Sequence, residues 1–250
     1  MNQTLFISDL HLCEERPQIT ALFLDFLANT KAEALYILGD LFEYWAGDDD
    51  LPDPYHQRIA TGLRALSDKG TRLYVMHGNR DLLLGQNFAT ACGASLLPDP
   101  TIIDLYGQTA LLTHGDKLCT DDVKYQEFRR QVHDPVWQKT FLAQPLASRK
   151  AQIAGMRQQS EQAKMAKSEA IMDVNAEAVA SLLAEHDFPP LFIHGHTHRM
   201  NRHALNINGH QCERIVLGDW YESGSYLECG AQGCVMQECR LGCIKATLSI

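Results

Sequence analysis

Five short clusters of carboxylate, imidazole and amide side chains punctuate the 250-residue chain: Asp9-Leu10-His11, Gly39-Asp40, Gly78-Asn79-Arg80-Asp81, His114-Gly115-Asp116 and His194-Gly195-His196-Thr197-His198. Their donors are oxygen and imidazole nitrogen, a borderline-to-hard set that suits Mn²⁺, Fe²⁺ or Zn²⁺ better than a thiolate site would. The i, i+2 spacing of Asp9 with His11, and of His196 with His198, can put two side chains on one side of an extended segment. Asp40, with two oxygens, could bridge two cations. Seven ligands shared this way make two four-coordinate sites with positions left for water and substrate. A lone Asp-x-His is usually a capped loop and a lone Asn before Arg a turn. Five clusters in order, each behind a strand-like run, meet the ordered context that a motif requires.

Two divalent ions ~3.5–4 Å apart can ionise a water near neutral pH and neutralise phosphoryl oxygens during in-line attack, so the chemistry needs no nucleophilic side chain. The chain has neither a Gly-x-Ser-x-Gly elbow nor a Gly-x4-Gly-Lys-Ser/Thr loop. Their absence removes the common serine-hydrolase and nucleoside-triphosphatase alternatives.

The elements that must position these side chains read as layered α/β structure. Leu5–Ser8, Ala34–Leu38, Arg72–Met76, Leu111–Thr113 and Leu191–Ile193 are apolar runs of strand length, each followed at once by one of the clusters, the arrangement that open α/β sheets use for their sites. Gln18–Leu27 and Tyr55–Leu66 carry apolar residues at helical spacing and should cover the sheet. In the last fifty residues, Arg214–Leu217, Ser225–Glu228, Cys234–Glu238 and Ile244–Ile250 are short strand-like runs, for which a second, more antiparallel sheet is the simplest outcome. Residues 121–168 read as a helical insertion. Asp134 before Pro135 has the N-cap and first-position arrangement of a helix, and a further helix starts near Ser148. On that helix Ile153, Met156, Ser160, Lys164 and Lys167 fall at steps of three or four, with the last three along one face.

Composition bounds the partners. Hydrophobic residues are 45% and charged residues 21% of the chain, and its net charge is −9, so disorder is excluded and non-specific nucleic-acid binding disfavoured. The insertion is the exception, with 9 basic residues against 5 acidic, leaving 13 basic against 26 acidic elsewhere. A basic face is usually just solvated, but beside apolar surface it also suits peripheral attachment to an anionic membrane. The insertion's Phe128, Val132, Val136, Trp137, Phe141, Leu142, Ile153 and Met156 exceed what a thin helical layer needs to pack on itself. They are read as packing against the core or, functionally, as walls of an acyl-chain channel. No apolar run reaches the ~20 residues of a membrane span, and the N-terminus carries no export pattern. The eight cysteines are therefore expected as thiols. Among them Cys229, Cys234, Cys239 and Cys243 lack Cys-x2-Cys pairing and are read as small buried apolar residues.

On these clusters the chain resembles the calcineurin-like metallophosphoesterase family. The family pattern runs from Asp9 to His198, with Glu43 completing the Gly39-Asp40 block. The resemblance implies an αββα sandwich core, residues 1–120 and 169–250, with residues 121–168 as a helical cap. It also implies two Mn²⁺ ions, one on Asp9, His11, Asp40 and His198, the other on Asp40, Asn79, His114 and His196. Arg80 stands where many members carry a His that protonates the leaving group. Arginine does not give up a proton near neutrality, but its planar fork suits phosphate oxygens, and a phosphate leaving group needs little protonation. With Leu118-Cys119-Thr120-Asp121-Asp122 and Ile171-Met172-Asp173-Val174-Asn175, the chain is similar to the branch of the family that acts on UDP-2,3-diacylglucosamine. That similarity implies metal-activated water attack on the α phosphorus on the cytoplasmic side of the inner membrane, with Asp40, Asn79, Arg80 and His114 catalytic. Asn79, Arg80, Asp122, Ser160, Lys164, Lys167 and His196 match its substrate contacts, although Lys164 occupies a position that is often Asn. Asp81 and Asp116 are candidates to orient metal-bound imidazoles. No nucleic acid and no obligate protein partner is expected. The competing readings are a metallophosphoesterase for another phosphodiester and a metal-stabilised scaffold without catalysis, against which all seven ligand positions are filled.

Overall fold

The computed structural model describes residues 3–165, 171 and 173–240. Strands β1 (Thr4–Ile7), β2 (Ala34–Leu38), β3 (Arg72–Met76) and β4 (Ala94–Leu97) lie parallel and adjacent, connected through helices α1 (Pro17–Asn29), α2 (Pro54–Asp68) and α3 (Gln86–Cys92). A second sheet has the order β5 (Thr101–Leu105), β6 (Gln108–Thr113), β7 (Leu191–His194), β9 (His210–Val216), β8 (Asn201–Ile207). Its three middle strands are parallel and its two edges antiparallel.

The strand pleat sorts the apolar side chains into layers. Phe6, Leu38 and Met76 of the first sheet meet Leu112, Ile193 and Ile215 of the second. Their neighbours Leu5, Ile7, Leu35 and Ile37 point the other way, to Phe23, Ile59 and Leu63 of α1 and α2. Phe192 turns outward to Leu182 and Leu183 of α7 (Ala176–Glu185). Central strands covered on both faces must be apolar throughout, and β1 and β7 are buried at every residue. The result is the expected αββα sandwich.

The C-terminal strands depart from expectation. Instead of forming a second sheet of their own they divide between the two: β9 joins the second sheet, while β10 (Gly224–Gly230) and β11 (Gly233–Cys239) extend the first as an antiparallel hairpin beside β1. Each run pairs with whichever sheet has an open edge, which local pattern does not encode. The register sets Cys229 directly opposite Cys234, with Cα atoms 4.1 Å apart, and the two form a disulfide. This corrects the expectation of thiols throughout. Ile244–Ile250 and Cys243 lie outside the described residues.

Between β6 and α7 the chain forms α4 (Val123–Val132), α5 (Pro135–Leu142) and α6 (Leu146–Met165). Asp134 caps α5 as its position before Pro135 predicts, its Oδ1 accepting the Val136 and Trp137 N–H groups. The start of α6 is pinned to the core. Arg149 is only 1% exposed and donates to the Ala46 and Gln144 carbonyls and the Asp49 carboxylate. Beside it Lys150 Nζ lies 2.6 Å from Asp50 Oδ1. Arg149→Ala strands the buried Ala46 carbonyl and opens a cavity, so urea denaturation should show a loss of about 2–4 kcal/mol. A loss below about 1 kcal/mol would show that the anchor contributes only as much as an exposed ion pair does.

Candidate active site

The loops that leave β1 and β2 run on side by side beyond the sheet. The Asp9 N–H donates to the Gly39 carbonyl at 3.1 Å and the His11 N–H to the Asp40 carbonyl at 2.9 Å. Asp9, His11, Asp40, His196 and His198 all have φ between +48° and +68°, a left-handed conformation that costs L-residues energy and collects at functional sites. The extended geometry expected of Asp9-x-His11 and His196-x-His198 is thereby corrected. Each segment curls tightly, and His196 and His198 separate toward different clusters. Glycines let the curled loops close in. A Cβ on Gly78 would collide with Asp40 Oδ1 and one on Gly195 with Asp9 Oδ2.

Asp40 occupies the centre. Its Oδ1 accepts the Arg80 N–H at 2.8 Å, and its Oδ2 lies 3.6 Å from His11 Nε2 and 3.8 Å from His114 Nε2. On one side of Oδ2, His11 Nε2 and His198 Nε2 approach to 3.3 Å, with Asp9 Oδ1 3.9 and 3.3 Å from them. On the other, His114 Nε2 meets Asn79 Oδ1 at 3.1 Å, and the His196 ring stands edge-on to His114 with centroids 5.1 Å apart. The structure therefore brings together all seven residues predicted as ligands, in two clusters either side of one carboxylate oxygen.

The electrostatics ask for cations. Asp9 Oδ1 is buried with no well-formed hydrogen bond, its nearest partner the His198 Nε2 at 3.3 Å, an expensive state for a carboxylate oxygen unless a positive charge completes it. Burial alone would lower the His114 pKa, yet Asp40, Asp9 and Asp116 push it up to about 9. His198 is likewise raised against burial by Asp9 and Asp219. A proton on the His114 ring stands in for positive charge that the carboxylates demand. His196, by contrast, is pushed down to about 3 by burial and by His114, which leaves it a neutral donor. Oxygen and imidazole donors around an orphaned carboxylate oxygen fit divalent cations.

Neighbouring groups orient the donors. His114 Nδ1 donates to the Leu38 carbonyl at 2.9 Å, which points Nε2 at Asp40 and Asn79. Glu43 Oε2 lies 3.0 Å from His11 Nδ1, while its Oε1 lies 2.9 Å from Arg157 and 3.6 Å from Arg80. Burial would raise the Glu43 pKa, but His11, Arg80 and Arg157 hold it down to about 2. Asp219, which the motif reading missed, has Oδ2 3.4 Å from His198 Nδ1. Its signal was present: Gly218-Asp219 follows a strand just as Gly39-Asp40 does. Arg157, one turn before Ser160, was missed as well.

Two expectations fail. Asp81 does not orient an imidazole. Its carboxylate accepts the N–H groups of Gly78, Asp40, Leu41 and Phe42 and so ties two ligand loops together. Asp116 accepts instead from Tyr125 Oη and Arg129 Nε, both at 2.7 Å, so it fastens α4 beside the site. In each case the nearest unsatisfied donors were backbone or cap groups.

Of the expected substrate contacts, Asn79, Arg80, Asp122, Ser160 and His196 line one cavity of about 270 Å³ with His11, Asp40 and His198. Asp122 also caps α4 through the Tyr125 N–H. Lys164 lies on α6 with its side chain outside the described residues, as is all of Lys167. An adjoining cavity of about 280 Å³, walled by Trp45, Leu83, Phe128, Phe141, Ile153 and Met156, shares Asn79, Arg80, Tyr125 and Ser160 with the first. Of the expected channel residues, Val136 is 73% exposed, and Leu142 lies against Gly47 and not in the cavity wall.

Residues 3–200 match the model of the family described as calcineurin-like phosphoesterase. The chain is 54% identical to a UDP-2,3-diacylglucosamine hydrolase of Aromatoleum aromaticum, over 92% of its own length and 94% of the relative's. To the protein of the same name in Escherichia coli K12 it is 53% identical, over 90% of its own length and 94% of the relative's. Among solved structures, vacuolar protein sorting 29 of Cryptosporidium parvum aligns with TM-score 0.48 and 12% identity over 95% of this chain and 97% of its own. With a family match that takes in every donor from Asp9 to His198, the chain belongs to the calcineurin-like phosphoesterase family.

Proposed function

We propose that the chain hydrolyses the diphosphate of UDP-2,3-diacylglucosamine to UMP and 2,3-diacylglucosamine 1-phosphate (lipid X), a step of lipid A biosynthesis, using two Mn²⁺ ions. One observation carries the substrate reading: an apolar cavity under α4–α6 opens onto the polar donor cavity, and Asn79, Arg80, Tyr125 and Ser160 line both. An amphiphile with a diphosphate between a lipid and a nucleotide fits that junction, and the relatives' names point to the same substrate.

Asp9, His11, Asp40 and His198 would hold one ion and Asp40, Asn79, His114 and His196 the other. When bound, such ions supply Lewis acidity and a water that ionises near neutral pH. The chain's own residues do the rest. Arg80 and Arg157 share the single Glu43 carboxylate, so the mouth between the cavities keeps surplus positive charge for phosphate oxygens. Arg80 offers no proton, and attack at the α phosphorus expels a sugar phosphate that needs none. Ser160, Lys164, Lys167 and Asp122 serve as further substrate contacts. Residues 121–168 act as a cap on a core of residues 1–120 and 169–250, whose apolar cavity takes the acyl chains.

Among the described residues no helix is long and apolar enough to cross a membrane. The cap exposes Val123 and Val136 as well as Arg130 and Lys139, which supports peripheral attachment to the cytoplasmic face of the inner membrane.

Metal-stripped protein incubated with UDP-2,3-diacylglucosamine in heavy-oxygen water should yield UMP and the sugar phosphate only after Mn²⁺ is restored, with label in UMP. Turnover of a generic phosphodiester alone would shift the substrate, and label in the sugar phosphate would move the attack to the other phosphorus. Asp40→Ala removes the shared oxygen and should lower kcat at least ~10³-fold with metal present; retained activity would break the assignment. Phe128→Ala should raise KM for the diacyl substrate about tenfold, leaving a soluble acyl-free phosphodiester unaffected. Equal loss on both would remove the acyl role of the cavity. Sedimentation with anionic vesicles should fall steeply between 0.05 and 0.5 M salt, on the order of the loss expected for surface charges screened beyond a Debye length; salt-independent binding would contradict the electrostatic attachment.

A further inference from the structure

Three consecutive residues after β9, none of them part of the predicted ligand set, each reach the cluster of Asp9, His11 and His198. Asp219 Oδ2 lies 3.4 Å from His198 Nδ1, the Trp220 N–H donates to the Asp9 carbonyl at 3.1 Å, and the Tyr221 ring lies against both imidazoles. Tyr221 stacks on His11 with centroids 5.6 Å apart and planes 21° from parallel, and it sits beside His198 with centroids 5.5 Å apart and planes tilted by 44°. Arg16 holds the ring: its guanidinium carbon is 4.7 Å from the Tyr221 centroid, and the same group donates to the carbonyls of Leu10, His11 and Trp220. The Tyr221 N–H donates to Asp219 Oδ1 at 3.2 Å, which joins the two contacts into one unit.

His198 needs such support more than its partners do. The side chains of Asp9, His11, Asp40 and His114 are at most 3% exposed, whereas His198 is 24% exposed on a left-handed backbone. Packing encloses the first four. The imidazole of His198 is held by Asp9 at one nitrogen, by Asp219 at the other, and by the His11 and Tyr221 rings beside it. Tyr221 is 46% exposed, a large aromatic surface to leave in water unless its flat face has a use. The second cluster, around His114 and Asn79, makes no ring contact with it.

Resting on the two-cation reading above, we propose that Tyr221 is a positioning residue for the first cluster: its ring, held by Arg16, fixes the planes of His11 and His198 and so sets the affinity of that cluster, and not of its neighbour, for a divalent cation. The face of the ring does this, not the hydroxyl.

Mn²⁺ titration followed by the resonance of the free ion tests it without turnover. The unaltered chain should bind two ions. In Tyr221→Ala, and in Tyr221→Leu, which keeps bulk without a flat face, one ion should bind ~10–100-fold more weakly, the usual cost of losing a group that orients a ligand. Tyr221→Phe should stay within about threefold, and kcat of Tyr221→Ala should recover at saturating Mn²⁺. Two-ion binding by Tyr221→Ala at the original affinities would overturn the inference, as would Tyr221→Phe failing as badly as Tyr221→Ala. If the unaltered chain bound no Mn²⁺, the two-cation reading would fail and this inference with it.

Discussion

Everything at this site follows from placing the Asp9 and Asp40 carboxylates together in the interior, where Asp9, Asp40 and His114 offer atoms within 4.8 Å of one another. Like charges held that close, with Asp9 fully buried and Asp40 1% exposed, repel strongly at low effective dielectric. The fold tolerates this only because imidazoles surround the pair and cations can complete it. The strained loops, the glycines that let backbone approach carboxylate, and the buried Asp81 that binds four N–H groups all serve to hold that repulsive core in one geometry. Stability is given up locally and recovered in the three apolar layers around it.

Much of this was legible in the sequence. β2 and β3 begin and end where their apolar runs predict, and the donors emerge because the residues after a buried strand have no packing reason to be Asp, His or Asn. The Asp134–Pro135 helix start was readable because a cap needs only local partners. What stayed hidden depends on long-range pairing. The allocation of β9 to one sheet and β10–β11 to the other is decided by free sheet edges, and the Cys229–Cys234 disulfide follows from the hairpin register. Asp81 and Asp116 were placed correctly but given the wrong partners, since position beside a ligand says nothing about which donor is left unsatisfied. Tyr221 has no local signal, because the Arg16, His11 and His198 side chains it meets come from elsewhere in the chain.

The attachment of the helical layer is uneven. Arg149 and Lys150 tie the start of α6 to residues 46–50, and Asp116 ties α4 to the loop after β6. Further along α6, Arg157 reaches Glu43, which in turn lies against His11. The apolar cavity and the donor cluster therefore share a polar link as well as a wall.

The donors are drawn from both sheets: Asp9 and Asp40 follow strands of the first, His114, His196 and His198 strands of the second. The way the two sets of donors meet therefore depends on the spacing of the sheets that carry them, which is set by the apolar layer made by Phe6, Leu38, Met76, Leu112 and Ile193. That layer acts as a spacer whose gauge is set by side-chain volume. A methylene added or removed there, far from any polar atom, changes the bite of the ligands. The interior of this protein is thus held to a dimensional tolerance by its chemistry, and not by its stability alone.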